Sequence, residues 1–206
     1  LALIHIRAMD VLEKVLEVER VSAVIGGHSK RGRSATVAAA MDSRVASPII
    51  MGNERIYRTD EVQWHLSFHH AFFQDQVNVP VFYIGATNEG GYNMFNINLM
   101  QQRLKEPMTI EMIPNYRHYN FHDKQFIDTM MWVAHVFDAR PISKIIDMSH
   151  EHRDERNYYR AKIESDAKVQ FVRVWFVYAH NPQWRDLMWF EWIMRKQGDY
   201  YETSVP

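Results

Sequence analysis

The chain has 206 residues, 47% of them hydrophobic and 24% charged, with a formal net charge of −1. That is ordinary globular usage and long enough for a sizeable core, and it excludes disorder and the global basic field that nucleic acid or an anionic membrane surface would need. There is no cysteine, which removes disulfides, thiolate metal sites and cysteine nucleophiles, and no apolar run reaches the ~18 residues of a membrane span.

Ile4, Ala8, Val11, Leu12 and Val15 share one helical face, so an amphipathic helix is predicted to end near Glu19. Val21 to Ile25 is a short apolar, β-branched run that suits a buried parallel strand. Gly26 to Gly32 follows at once, and Ser34 to Met41 reads as a small-residue helix able to pack closely on a sheet. Val45 to Met51 is the next strand, closed by Gly52. Asn53 to Asn78 is an irregular, His- and aromatic-rich excursion. Val79–Ile84 and Met108–Ile113 are strands, and Asn93–Leu104 and Phe121–Phe137 are helices, the last with apolar Phe126, Met130, Val133 and Phe137. Strands alternating with helices imply an α/β fold with a mostly parallel sheet covered on both faces. Opening such a sheet on a helix and a serine-bearing strand predicts that further N-terminal strands belong to a longer protein. Arg140-Pro141 punctuates the chain. The division expected is a partial α/β domain over 1–141 and a β-rich module over 142–206, with strand signals at Lys168–Tyr178 and Leu187–Met194 and a solvated, mixed-charge connection from Arg153 to Arg160.

The chemistry centres on Gly27-His28-Ser29-Lys30-Arg31-Gly32. A serine hydroxyl becomes nucleophilic when it is exposed beside a base, and a sharp strand–turn–helix elbow exposes it. Glycines relieve the crowding of that turn, and the N–H after the serine, here that of Lys30, points at the developing oxyanion. The spacing is G-x-S-x-x-G, with Arg31 where the commoner elbow has its second glycine. The other reading is a glycine-rich turn whose serine caps a helix. No phosphate-loop pattern is present.

This fold requires an acid and then a histidine to follow the serine. His118, in Pro114-Asn115-Tyr116-Arg117-His118 just after a strand, stands where the base belongs; His122 is the runner-up. His65, His69, His70 and His135 read as helix-face or surface residues, and the adjacent His69 and His70 make a poor metal pair. The acid is Glu89 or its neighbour Asn88, in Gly85-Ala86-Thr87-Asn88-Glu89-Gly90-Gly91, with Glu54 as a further candidate. Arg31 is a candidate for holding an anionic substrate group or for pairing with a carboxylate. Neither metal nor cofactor is expected. Trp175, Trp184, Trp189 and Trp192 suit packing better than a carbohydrate platform, and Arg185-Asp186 suits a structural ion pair.

These blocks resemble the PhoPQ-activated pathogenicity-related protein family. Gly27-x-Ser29-Lys30-Arg31-Gly32 is similar to its G-A-S-K-R-G, and Ala40-Met41-Asp42-Ser43-Arg44-Val45 to its A-x-D-x-R-V. Gly85 to Glu89 is similar to G-T-N-D-E, Pro114 to His118 to P-N-x-x-H, and Ala179 to Asp186 to A-x-N-x-x-x-R-D-F-R, whose last two residues are replaced by Leu187 and Met188. The resemblance implies an α/β-hydrolase with a β-rich C-terminal extension, export in bacteria, and kinship to serine esterases and peptidases. Asn88 stands where the family has Asp, and Gly90 and Gly91 replace two aromatics. The expected activity is hydrolysis of a small-molecule, peptide or carbohydrate ester or amide by a Ser29–acid–His118 triad, with one oxyanion donor at Lys30 and a second from an upstream loop. The alternative is a catalytically impaired relative that binds or signals.

Overall fold

The computed structural model describes residues 1–52, 70–90, 93–118, 123–181 and 184–206. Two sheets organise them. The first is parallel, with strands β1 (Ala23–His28), β2 (Val45–Met51), β3 (Val81–Ala86) and β4 (Met108–Ile113) lying side by side in chain order. Its helices are α1 (Ala2–Leu16), α2 (Lys30–Met41), α3 (Asn93–Arg103) and α4 (Asp123–Asp138).

Alternation along the strands fills both faces. Ile50, Val81 and Tyr83 join Met9, Ala35, Ala38, Ile97 and Met100 in one core, which places α1, α2 and α3 on that side. Ile49, Phe82, Ile84 and Ile113 pack with Trp132 of α4 on the other. The small residues of α2 allow a close approach; Ala35 and Ala38 are wholly buried. The Trp132 ring lies 5.2 Å from that of Phe82, and its indole N–H donates to Ser47 Oγ at 2.8 Å, so the buried polar end is satisfied.

Among the departures from the sequence reading are three element boundaries and the packed faces of two helices. Strand β1 runs on through Gly26-Gly27-His28, because pairing with Ile49, Ile50 and Met51 outweighs the poor strand propensity of glycine. Helix α2 starts at Lys30, directly behind the serine. Helix α1 ends at Leu16, where Glu17 takes the left-handed cap at φ 54°. Its packed residues are Met9, Ile6 and Ala2, whereas Ile4, Val11 and Val15 of the predicted stripe are exposed. In α4 the buried residues are Gln125 and Trp132, and Phe126, Met130 and Phe137 face outward. His65 and His69, expected on a helix face or the surface, the second base candidate His122 and the acid candidate Glu54 lie outside the described residues.

The second sheet is antiparallel, in the order β5 (Lys144–Arg153), β6 (Arg156–Glu164), β9 (Tyr200–Val205), β8 (Phe190–Gln197), β7 (Val172–Phe176). The stretch Arg153–Arg160, expected as a solvated connection, is the turn and arm of the β5–β6 hairpin. Asp154 and Glu155 both hold positive φ, 50° and 59°, the two-residue turn that matches strand twist. Side-chain pairs brace its exposed faces: the Arg160 guanidinium lies 3.4 Å above the Tyr200 ring and pairs with Glu202 across β6 and β9. The chain crosses from one sheet to the other over residues 139–143, where Ile142 packs against the Trp132 cluster.

Candidate active site

The C-terminal ends of β1 to β4 are adjacent, so the loops that leave them meet at one edge of the sheet, where open α/β sheets place their sites. Ser29 leaves β1. Its backbone sits at φ 58° and ψ −122°, a sparsely populated conformation for an L-residue, and its N–H donates to the Met51 carbonyl at 2.7 Å. A serine at a helix start ordinarily accepts a bond from the second or third helical N–H. Ser29 makes no such capping bond, so capping does not explain the turn.

The flanking glycines are required by space. A Cβ on Gly27 would lie 2.5 Å from Arg31 Cβ, and one on Gly32 would lie 2.6 Å from the Gly27 carbonyl oxygen. Gly32 therefore lets α2 sit against β1 and β2. Lys30 opens α2, so its N–H belongs to the first turn, whose donors have no intrahelical acceptor. Arg31 is exposed and enters no ion pair among the described residues.

His118 arrives from the loop after β4 and Glu89 from the loop after β3. His118 Nδ1 and Glu89 Oε1 are hydrogen-bonded, with Glu89 buried to 8% exposure. The pair lies directly over Gly52, at the end of β2. A Cβ there would meet Glu89 Oε1 at 3.1 Å and His118 Nδ1 and His28 Nε2 at 3.3 Å each, and the residue holds φ +66°. Gly52 is thus the floor on which Glu89 and His118 meet, one residue beyond the Met51 carbonyl that holds Ser29. Its position just after a strand was visible in the sequence, but the need for an absent side chain was not.

Asn88 does something else. Its amide donates to the carbonyls of Trp184, Arg185 and Leu187 at 3.3, 3.1 and 2.5 Å, while its Oδ1 accepts from Thr87 Oγ1 at 2.7 Å. It holds the C-terminal segment rather than the imidazole. Asn115, at φ 60°, pairs with the same segment in both directions: its Oδ1 accepts from Trp189 N at 2.7 Å and its Nδ2 donates to Trp189 O at 3.0 Å. The partner of Asp186 is Arg117 at 3.1 Å, not the neighbouring Arg185. Trp184 and Trp189 meet edge to face, their centroids 6.2 Å apart, in keeping with a packing role. The loops that carry Glu89 and His118 are therefore both tied to residues 184–189.

The PhoPQ-activated pathogenicity-related protein family matches residues 59–188, well over half of the chain. The chain belongs to that family. The matched span includes the Glu89 and His118 loops and begins beyond Ser29. No curated protein matches the sequence. Among solved structures, dipeptidyl peptidase 4 of Porphyromonas gingivalis superposes with a TM-score of 0.51 at 11% identity, over 66% of this chain and 22% of that one. A 2,6-dihydroxy-pseudo-oxynicotine hydrolase gives 0.51 at 14% identity, over 67% of this chain and 46% of that one. A puromycin hydrolase gives 0.52 at 10% identity, over 64% and 24%. The fold is that of the α/β-hydrolases with an added antiparallel sheet, and the chain spans less than half the length of each of these structures. Among the described residues no helix is long and apolar enough to cross a membrane.

Proposed function

We propose that this family member is a serine hydrolase that cleaves a carboxylic ester or amide, with Ser29 as nucleophile, His118 as base and Glu89 as the orienting acid. The observation that carries the reading is the Glu89–His118 pair seated over Gly52, next to a serine held in a strained turn with no capping duty. Ser29 Oγ attacks the acyl carbon as its proton passes to His118 Nε2. Glu89 on Nδ1 fixes the tautomer and stabilises the imidazolium that forms. The oxygen of the tetrahedral intermediate takes a bond from Lys30 N–H. His118 then returns the proton to the leaving alcohol or amine, and water, activated by the same imidazole, releases the acid and restores Ser29.

The impaired-relative reading rested on Asn88 as a decayed acid. Asn88 engaged by three carbonyls and Glu89 on the imidazole favour the hydrolase reading over it. The test is labelling by a fluorophosphonate. The protein takes up one equivalent on Ser29, and S29A takes up none. E89Q labels several orders of magnitude more slowly, since the equivalent loss in a serine protease costs about 10⁴ in kcat. Absence of label on Ser29 in the full protein overturns the reading.

A further inference from the structure

We propose that His28, the residue before the nucleophile, is a positioning residue that clamps the main chain of the base: its Nε2–H donates to the His118 carbonyl and its ring braces the His118 ring. This rests on the reading of His118 as the base. The bond is 2.5 Å and joins residues 90 apart in sequence, so it ties the base to the nucleophile's own strand. The ring centroids are 4.5 Å apart at 41°. Gly52 makes room for all three groups, because the Cβ it lacks would lie within 3.3 Å of His28 Nε2, His118 Nδ1 and Glu89 Oε1.

The chemistry of the clamp follows from its tautomer. A carbonyl only accepts, so His28 carries its proton on Nε2. Burial lowers the His28 pKa, and the charges of His118 and Arg31 act in the same direction against the bond to the carbonyl. The ring is therefore neutral at neutral pH. That matters when His118 takes the serine proton, because a neutral neighbour tolerates an imidazolium and a charged one repels it. Glu89 fixes His118 through its side chain and His28 fixes it through its backbone, so two anchors define the position of Nε2.

Three variants separate the donor from the ring. H28A removes both, H28F keeps a ring without the donor, and H28Q keeps a donor at the same reach without the ring. With p-nitrophenyl acetate, H28A and H28F lose about 10²-fold in kcat, the scale of an ångström-sized misplacement, with KM within a few-fold. H28Q recovers most of that loss. In parallel, the downfield proton resonance of His118 Nδ1–H on Glu89 is lost in H28A and H28F and kept in H28Q. If H28A does not fold, H28F against H28Q decides. Equal kcat and an equal resonance in wild type and H28F overturn the clamp, as does an H28Q no better than H28F. A wild type that neither hydrolyses the ester nor labels at Ser29, yet shows the resonance lost in H28F and kept in H28Q, defeats the hydrolase reading and leaves the clamp standing.

Discussion

At Ser29 the backbone stores energy. The conformation at φ 58° and ψ −122° costs an L-residue about 1–3 kcal/mol. Glycine adopts it freely but loses more chain entropy on folding, by about 0.5–1 kcal/mol. S29G is therefore expected to raise stability by about 1 kcal/mol, read by urea unfolding, while abolishing fluorophosphonate labelling. A destabilised S29G would mean that the turn is unstrained. Asn88 leads to a second expectation. Its amide donates to three carbonyls, and a carboxylate in the same place would face three acceptors with nothing to give. N88D is expected to lose about 1–3 kcal/mol at neutral pH, the penalty of unpaired buried polar groups, with no gain in hydrolysis. A rise in esterase rate would instead place residue 88 on the imidazole. That Ser29, Glu89 and His118 each follow a strand was legible in sequence, because each comes after a short apolar, β-branched run. The choice between Asn88 and Glu89 was not, since two adjacent polar residues on one loop differ only in what each side chain meets.

Helices and strands were legible wherever hydrophobic period and flanking turns agreed. The strands Val45–Met51 and Met108–Ile113 stand where the sequence puts them. The hairpin of β5 and β6 was hidden because its turn, Asp154-Glu155, lacks the glycine or asparagine that normally marks positive φ. The packed face of α1 was hidden for another reason: periodicity finds an apolar stripe but does not say which side of a helix the sheet takes. Here polar residues decide it. Arg44, in the turn before β2, pairs with Asp42 at 2.6 Å and reaches Asp10 and Glu13 of α1 at 2.9 Å each. It thus turns the Met9 side of α1 toward the sheet. The bonds from Arg44 hold the Asp42 carboxyl below the usual range, and those from Arg7 and Arg44 do the same for Asp10. A carboxyl with a depressed folded-state pKa contributes stability that is present above its unfolded value, near 3.8, and is lost as pH falls through the lower folded value. Acid titration of the melting temperature is therefore expected to fall below about pH 4. R44Q is expected to be less stable at neutral pH and to fall less steeply in acid. An identical acid slope in R44Q would rule out the network as the link between α1 and the sheet.

The second sheet was legible by composition, but its joint to the first was not, because it is made by single polar side chains from loops. Asn88 and Asn115 reach residues 184–189 from the same loops that carry Glu89 and His118, and Arg117 adds its pair with Asp186. Ile142 adds an apolar contact at the crossing. The antiparallel sheet buries few side chains of its own, Ala161, Met194 and Val205 among them, so its stability depends on what it is fastened to. That makes the C-terminal segment a support for the Glu89 and His118 loops and the loops an anchor for the segment. Removing one asparagine should then be felt at both ends. N115A loses two hydrogen bonds and places a β-carbon residue without asparagine's tolerance at φ 60°, for a loss of about 2–4 kcal/mol. Amide exchange in N115A is expected to speed up in β7 and β8 and in residues 114–118 together, with a fall in kcat beyond the fall in stability. Exchange that changes on only one side of the joint would mean that the two sheets are adjacent without being coupled.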